Sequence, residues 1–387
     1  MNDMKMTRCL LLPLALLAFA GCAKVEVAEA PDVKVTFTVG SYASQTKAAS
    51  ILGETTTFRS KGFLHAKGVS QMQDFFGTNG ETITWDSTEK EWAPSHVYYW
   101  PKSSESYVNF VSWYDKNEAT VAAAQKAAVT ETTSETTTVT SLSWSGRKIT
   151  ADDNIMWADE AWRYNQNAET YKFDGVKEGI PTLFHHALAK LVFKAYATPD
   201  IGTTPNTWWK VKITEITLSG LKDTGTLSLT NSDKGSTGTK AWTTDGWTSL
   251  TTSTGTGAGT LTGTLDELPT SVSTAENDPA IITGLKSTVI PQDVTAMTVT
   301  IKYEISTYYA DPSSNSAPTA YSVEKLSATN VPLYSTTEGA GFSQTIDAWE
   351  MNKIYTYIIK IDPSTKVITF LPDAQDWTSV VGSISIE

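Results

Sequence analysis

The chain has little cysteine, little histidine and a deficit of positive charge. Its two cysteines, Cys9 and Cys22, both fall within the first 22 of 387 residues, so the rest of the chain holds no disulfide and no thiolate metal site. The four histidines, His65, His96, His185 and His186, form no HExxH pattern. His185 and His186 are adjacent, so in a strand they point to opposite faces, and they are read as structural. A GxSxG elbow, a P-loop and an EF-hand loop are absent as well. Lys and Arg number 30 against 42 Asp and Glu, a net charge of −12, which removes nucleic acid as a partner because phosphate attraction requires a basic surface. Beyond the N-terminal segment no apolar run is long enough to cross a bilayer as a helix. These residues assign no catalytic group, no metal and no cofactor, and the chain is not read as an enzyme. Asp152-Asp153 and Asp159-Glu160 have the composition of a glycosidase pair, but sequence neighbours rarely reach its geometry, and they are read as solvated loop acids.

Aromatic residues make up 10% of the chain, with 13 Trp and 15 Tyr amid abundant Ser and Thr, the composition of a β-rich extracellular protein. Short apolar alternations recur along it, among them 81–85, 96–100, 107–114, 190–197, 211–218, 225–229, 280–282, 296–306, 354–361, 367–371 and 380–386. Turn chemistry separates them, at Asn79-Gly80, Pro101, Pro199, Gly220, Pro291 and Pro363. Many short strands at this spacing predict an all-β chain of sandwiches. Residues 115–128 read as a short helix or ordered loop, and the Thr-rich 130–140 and Gly/Thr/Ser-rich 251–263 as surface loops or edge strands. At Gly179-Ile180-Pro181 loop chemistry gives way to a fresh alternation, PTLFHHALAKLVFKA, which places a boundary between an N-terminal domain, 33–180, and a C-terminal domain, 181–387.

Residues 1–21 read as a targeting signal. Lys5 and Arg8 form a positive region, Leu10 to Ala20 an apolar stretch too short to span a bilayer, and Ala20-Gly21-Cys22 a small-residue processing site. The last triplet resembles the lipobox of bacterial lipoproteins, with Phe19 where Leu is usual, and that resemblance implies acylation of Cys22 and a lipid anchor in the outer membrane. The alternative is an ordinary signal cut at or near Ala20 or Ala23. Residues 22–32 then serve as a spacer ahead of VKVTFTVGSYASQTK, where Val33, Val35, Phe37 and Val39 alternate with polar residues as a strand with one buried face does.

Several pieces, in order along the chain, resemble the fimbrillin family of Bacteroidetes, the Mfa-like or FimA-like pilins and associated lipoproteins of type V pili. They are 33–39 followed by Thr46-Lys47-Ala48; Tyr99-Trp100-Pro101 with 109–114; FHHALAKL at 184–191; and VKITEITLSG at 211–220 with 225–229. Val289-Ile290-Pro291-Gln292, WEMNKIYTYIIKI at 349–361 and Asp376-Trp377 complete the series. The resemblance implies two tandem transthyretin-like, Greek-key β-sandwich domains, no cofactor, and a cell-surface adhesive role as a pilus subunit or accessory protein. It also implies that a trypsin-like protease removes the first strand, Val33, Val35, Phe37 and Val39, and that the groove accepts a strand from another pilin subunit.

On this sequence Lys47 is the first cleavage candidate and Arg59 the second, with an uncut protein as the alternative. At the other end Val380, Gly382, Ile384 and Ile386 alternate as a donor strand or as the last strand of their own domain, with Trp377 as anchor. A host or bacterial surface ligand is a further implied partner. A rival reading from another class is a glycan-binding lipoprotein that stacks sugars on Trp157, Trp162, Trp208, Trp209, Trp242 and Trp247, which lie in loop-like stretches.

Overall fold

The computed structural model describes residues 32–41, 52–133, 137–168, 179–198, 207–232, 235–254, 259–266, 268, 279–285, 287–309, 320–334 and 346–377. Their regular secondary structure is almost entirely strand. In chain order these are β1 (Phe37–Ser41), β2 (Phe58–His65), β3 (Gln73–Asp74), β4 (Glu81–Asp86), β5 (Glu91–Pro94), β6 (Tyr107–Asp115), β7 (Ala128–Thr133) and β8 (Thr138–Lys148). Then come β9 (Ile155–Ala158), β10 (Glu160–Tyr164), β11 (Ile180–His186), β12 (Ala189–Ala197), β13 (Thr207–Ser219), β14 (Thr224–Asn231), β15 (Gly238–Lys240) and β16 (Trp247–Thr251). The last are β17 (Thr260–Leu265), β18 (Ala280–Ile281), β19 (Ser287–Val289), β20 (Thr298–Tyr309), β21 (Ala320–Pro332), β22 (Lys353–Asp362) and β23 (Val367–Asp376). A single 3₁₀ turn, Ala123–Gln125, is what becomes of the stretch read as a short helix or ordered loop.

One sheet closes on itself. Its order is β15-β10-β6-β9-β11-β1-β5-β4-β2-β3, and β6 also pairs with β2 from Arg59↔Trp113 to His65↔Tyr107. Strands β6, β9, β11, β1, β5, β4 and β2 therefore form a closed ring, which leaves no open edge along that path. Its apolar cluster includes Val35, Phe37, Phe58, Phe110 and Phe184. Every residue of β6 after Tyr107 is buried, because the strand works on both faces. Val108 and Phe110 belong to that cluster, while Val111 and Trp113 pack with Leu142, Trp144, Leu227 and Trp247 of the overlying sheet β16-β14-β8-β7.

Beyond residue 189 two more sheets meet around a separate core. One joins β18, β12, β22 and β23, with β19 beside β12; the other is β17-β13-β20-β21. Tyr355, Tyr357, Ile359 and Ile361 alternate inward along β22 and pack with Leu191 and Phe193 of β12 and Ile216 and Ile301 of the facing sheet. Strand pairing does not stop at 180/181. β11 pairs with β1 and β9, β14 with β8, and β15 with β10, so residues after 181 complete sheets begun before 180. Apolar alternation marks strands but not partners, and a turn at Gly179 looks the same whether or not the next strand returns to the same sheet.

Candidate functional site: the slot of the first strand

The alternation at Val33–Val39 is that of a strand seated in the ring. Val35 and Phe37 are 2% and 1% exposed, and Val33 and Val39 pack partly buried against the same cluster. The Phe37 ring lies 5.7 Å from Phe58 and 5.8 Å from Phe110, both edge-on, and 6.4 Å from Phe76. Burying two such side chains contributes about 1.5–3 kcal/mol each.

Main-chain bonds hold the strand on both sides. Towards its start, Val35 N–H donates to Tyr98 O and Trp100 N–H donates to Val33 O, both at 2.9 Å, around the bridge Lys34↔Tyr99. Further on, β1 runs parallel to β11 from Phe37↔Ile180 to Ser41↔Phe184 and meets β5 at Phe37↔Trp92. Ile180 N–H donates to Thr36 O at 2.7 Å. Immediately before it, Gly179 has φ +105°, and a Cβ there would stand 2.7 Å from Thr36 C and 2.8 Å from Phe37 N. Glycine is required for this approach on both counts.

Glu81 braces the 95–100 side of the slot. Its carboxylate accepts from Ser95 Oγ, from Tyr98 OH at 3.0 Å and from Thr82 N–H at 3.1 Å, and lies 3.1 Å from His96 Nδ1. Burial alone would push this carboxyl up, but the bonds from Ser95, His96, Thr82 and Tyr98 together hold it below the ordinary glutamate value. Sequence reading missed both Glu81 and the role of Gly179; the Gly179-Ile180-Pro181 turn was visible, its contact with Thr36 was not.

The other expected site residues fall in different places. Cys22, Lys47, Val380, Gly382, Ile384 and Ile386 lie outside the described residues. Arg59 is inside β2, paired to Thr82 on one side and Trp113 on the other, with Nη1 donating to Thr82 Oγ1 at 3.1 Å and Nη2 to Asn79 O at 2.7 Å. Arg59 and Ser60 are thus both paired within the sheet, whereas proteases cut accessible extended segments.

Of the tryptophans read as sugar platforms, those with described side chains are buried or partly buried. Trp157, Trp162 and Trp247 are each 7% exposed or less, Trp247 Nε1 donates to Ala187 O at 2.7 Å, and Trp242 Nε1 donates to Ala158 O at 2.8 Å. Trp209 packs partly buried against the core beyond 189, and the Trp208 side chain lies outside the described residues. Their loop-like composition concealed that β14 and β16 cover the ring.

Two of the expected loop acids are likewise buried. Asp153 accepts from Arg147 Nη2 at 3.1 Å, and Glu160 accepts from Asn231 Nδ2 at 3.0 Å. His185 and His186 do point apart, the first to Asp159 at 3.0 Å and the second into the interior. Among the described residues no group of three or more His, Cys, Asp or Glu side chains is placed to hold a metal ion.

The model of a family described as fimbrillin-like matches residues 63–377 of this sequence. Among solved structures, a fimbrial protein from Bacteroides vulgatus is similar at 15% identity, covering 89% of this chain and 99% of that one with a TM-score of 0.49. The tip fimbrial protein Mfa3 from Porphyromonas gingivalis, truncated at its C-terminus, is similar at 11% identity, covering 89% and 100% with a TM-score of 0.27. A comparison with curated proteins finds no match.

Proposed function

Because this chain belongs to the fimbrillin-like family, we propose that it is a surface adhesion protein of type V pili whose first strand is a removable plug. The observation that carries this reading is the slot itself: Val35 and Phe37 seal a closed ring through one short strand held between β11 and β5. Removing 33–41 would uncover the Phe58, Phe110 and Phe184 surface and two unpaired strand edges, a site shaped for an extended segment of another subunit. Cys22 tethers the precursor to the outer membrane, Lys47 is the cleavage point, and 380–386 is the donor strand. The pairing of Arg59 within the ring favours Lys47 over it. In this reading the ring with its covering sheet and the two sheets beyond 189 are the family's two transthyretin-like sandwiches in tandem; the separation of the core beyond 189 from the apolar clusters in the ring and under its covering sheet supports it.

Trypsin treatment of the purified precursor is the direct test. A single cut within 42–51, abolished by Lys47→Ala and followed by oligomers, is the expected result. A first cut elsewhere, or cut protein that stays monomeric, overturns the plug reading. Palmitate incorporation that survives Cys22→Ala would overturn the anchor.

A further inference from the structure

Trp377 is the first residue after β23 and is 5% exposed. Its main-chain N–H donates to Asn352 O at 2.9 Å. Its ring lies flat on the imidazole of His186, centroids 3.7 Å apart and planes 4° apart, and Lys190 Nζ stands 5.6 Å from its centre. The imidazole is fully buried. Nδ1 is 2.9 Å from Asn154 Oδ1, an acceptor, so Nδ1 carries the proton, and Nε2 has no hydrogen-bond partner among the described residues. Asn352 ties the pair together from below, since its Oδ1 accepts the His186 main-chain N–H at 3.3 Å.

We propose that His186, Trp377 and Lys190 form a latch that fixes where the chain leaves β23, and that the latch opens when His186 takes up a proton. A proton on Nε2 would place a cation in the interior with no acceptor and with the Lys190 ammonium nearby. Among the described residues, the members of two further charged pairs near the site are engaged with each other. His185, on the opposite face of β11, is bound to Asp159, and Asp376 is engaged by Lys353 at 2.7 Å. Burial first, and then repulsion from Lys190 and His185, pushes the imidazole down to about 3. Withdrawal of Trp377 uncovers one face of the ring and so moves its titration back towards the ordinary 6.5.

The sign follows from that difference. The closed latch has its full stability above about pH 6.5 and loses it as pH falls towards 3, because only the open form accepts the proton at little cost. At pH 4.5 the open form gains at most roughly 100-fold over its population at neutral pH, the limit set by a fully restored imidazole. Residues 378–387, with Val380, Ile384 and Ile386, follow Trp377 directly, so opening releases the root of the segment proposed as donor. The use of the latch in assembly rests on the strand-exchange reading; the latch itself does not.

Hydrogen exchange of the full chain, corrected for intrinsic rates, tests it at pH 7.5 and 4.5. The wild type is expected to lose protection at the Trp377 end of β23, over 375–377, by at least about 10-fold and at most about 100-fold at the lower pH, while 298–309 changes little. His186→Gln removes the titrating group, and Asn154→Asp supplies a carboxylate to hold the cation, so both are expected to shrink the loss to a few-fold. Asp376→Asn is expected to keep the full loss. Equal wild-type protection at both pH values, an equal loss over 298–309, an undiminished loss in both variants, or its disappearance in Asp376→Asn would overturn the proposal. None of these readouts depends on whether cut protein polymerises.

Discussion

The ring around the first strand and the paired sheets beyond residue 189 bury separate apolar cores by different closures. In the ring, β1 pairs with β11 over five residues and with β5 at one. Beyond 189, β12 and β22 pair from Lys190↔Ile354 to Ala197↔Ile361, and β13 and β20 from Thr207↔Tyr309 to Ser219↔Thr298. Long ladders make the second region a framework in which no short strand is the sole seal. The first depends on one segment of the chain whose loss would open it without unpairing its neighbours from each other.

The largest expected effect that would break this contrast is at Phe37. Phe37→Ala should cost about 3–5 kcal/mol, read as a lowered denaturation midpoint with exchange faster in the ring strands and unchanged over 353–362. A uniform rise across both regions would show that they do not differ in this way. Gly179→Ala comes next, at about 1–3 kcal/mol, because it forces a side chain into a left-handed backbone position against Thr36. Exchange over 33–41 should rise first, and a change confined to 189–197 would contradict the assignment. Glu81→Gln should cost about 1 kcal/mol at pH 7. The folded carboxyl sits below the ordinary glutamate value of 4.5, so the wild-type advantage is full above that pH and lost as pH falls through the folded value. Urea midpoints of the two proteins should therefore converge in acid, and a constant gap would remove the brace.

How much of this was legible in the sequence depended on the physical origin of each feature. Val33 to Val39 could be read because one face of that strand is buried and the period of two records it. β2 was not read as a strand. Its Phe58 points into the ring and its Phe63 towards the covering sheet, so apolar residues fall on both faces and the alternation is lost. The slot itself was invisible because its main contact joins Phe37 to Ile180, far along the chain, and pattern alone does not choose partners. Trp247 and Trp242 misled for a related reason: Gly- and Thr-rich surroundings read as loop, while the rings and their N–H groups turn inward to carbonyls of 187 and 158.

The two sides of the slot are unequal in a way that gives it a direction. Its β11 side accepts a parallel neighbour and its β5 side an antiparallel one, and the two kinds of ladder space and slant their hydrogen bonds differently. A chain laid in backwards would meet both partners with the wrong pattern and would displace the side chains that alternate inward. The slot therefore reads polarity as well as hydrophobicity, and any array of subunits joined through it acquires a head and a tail.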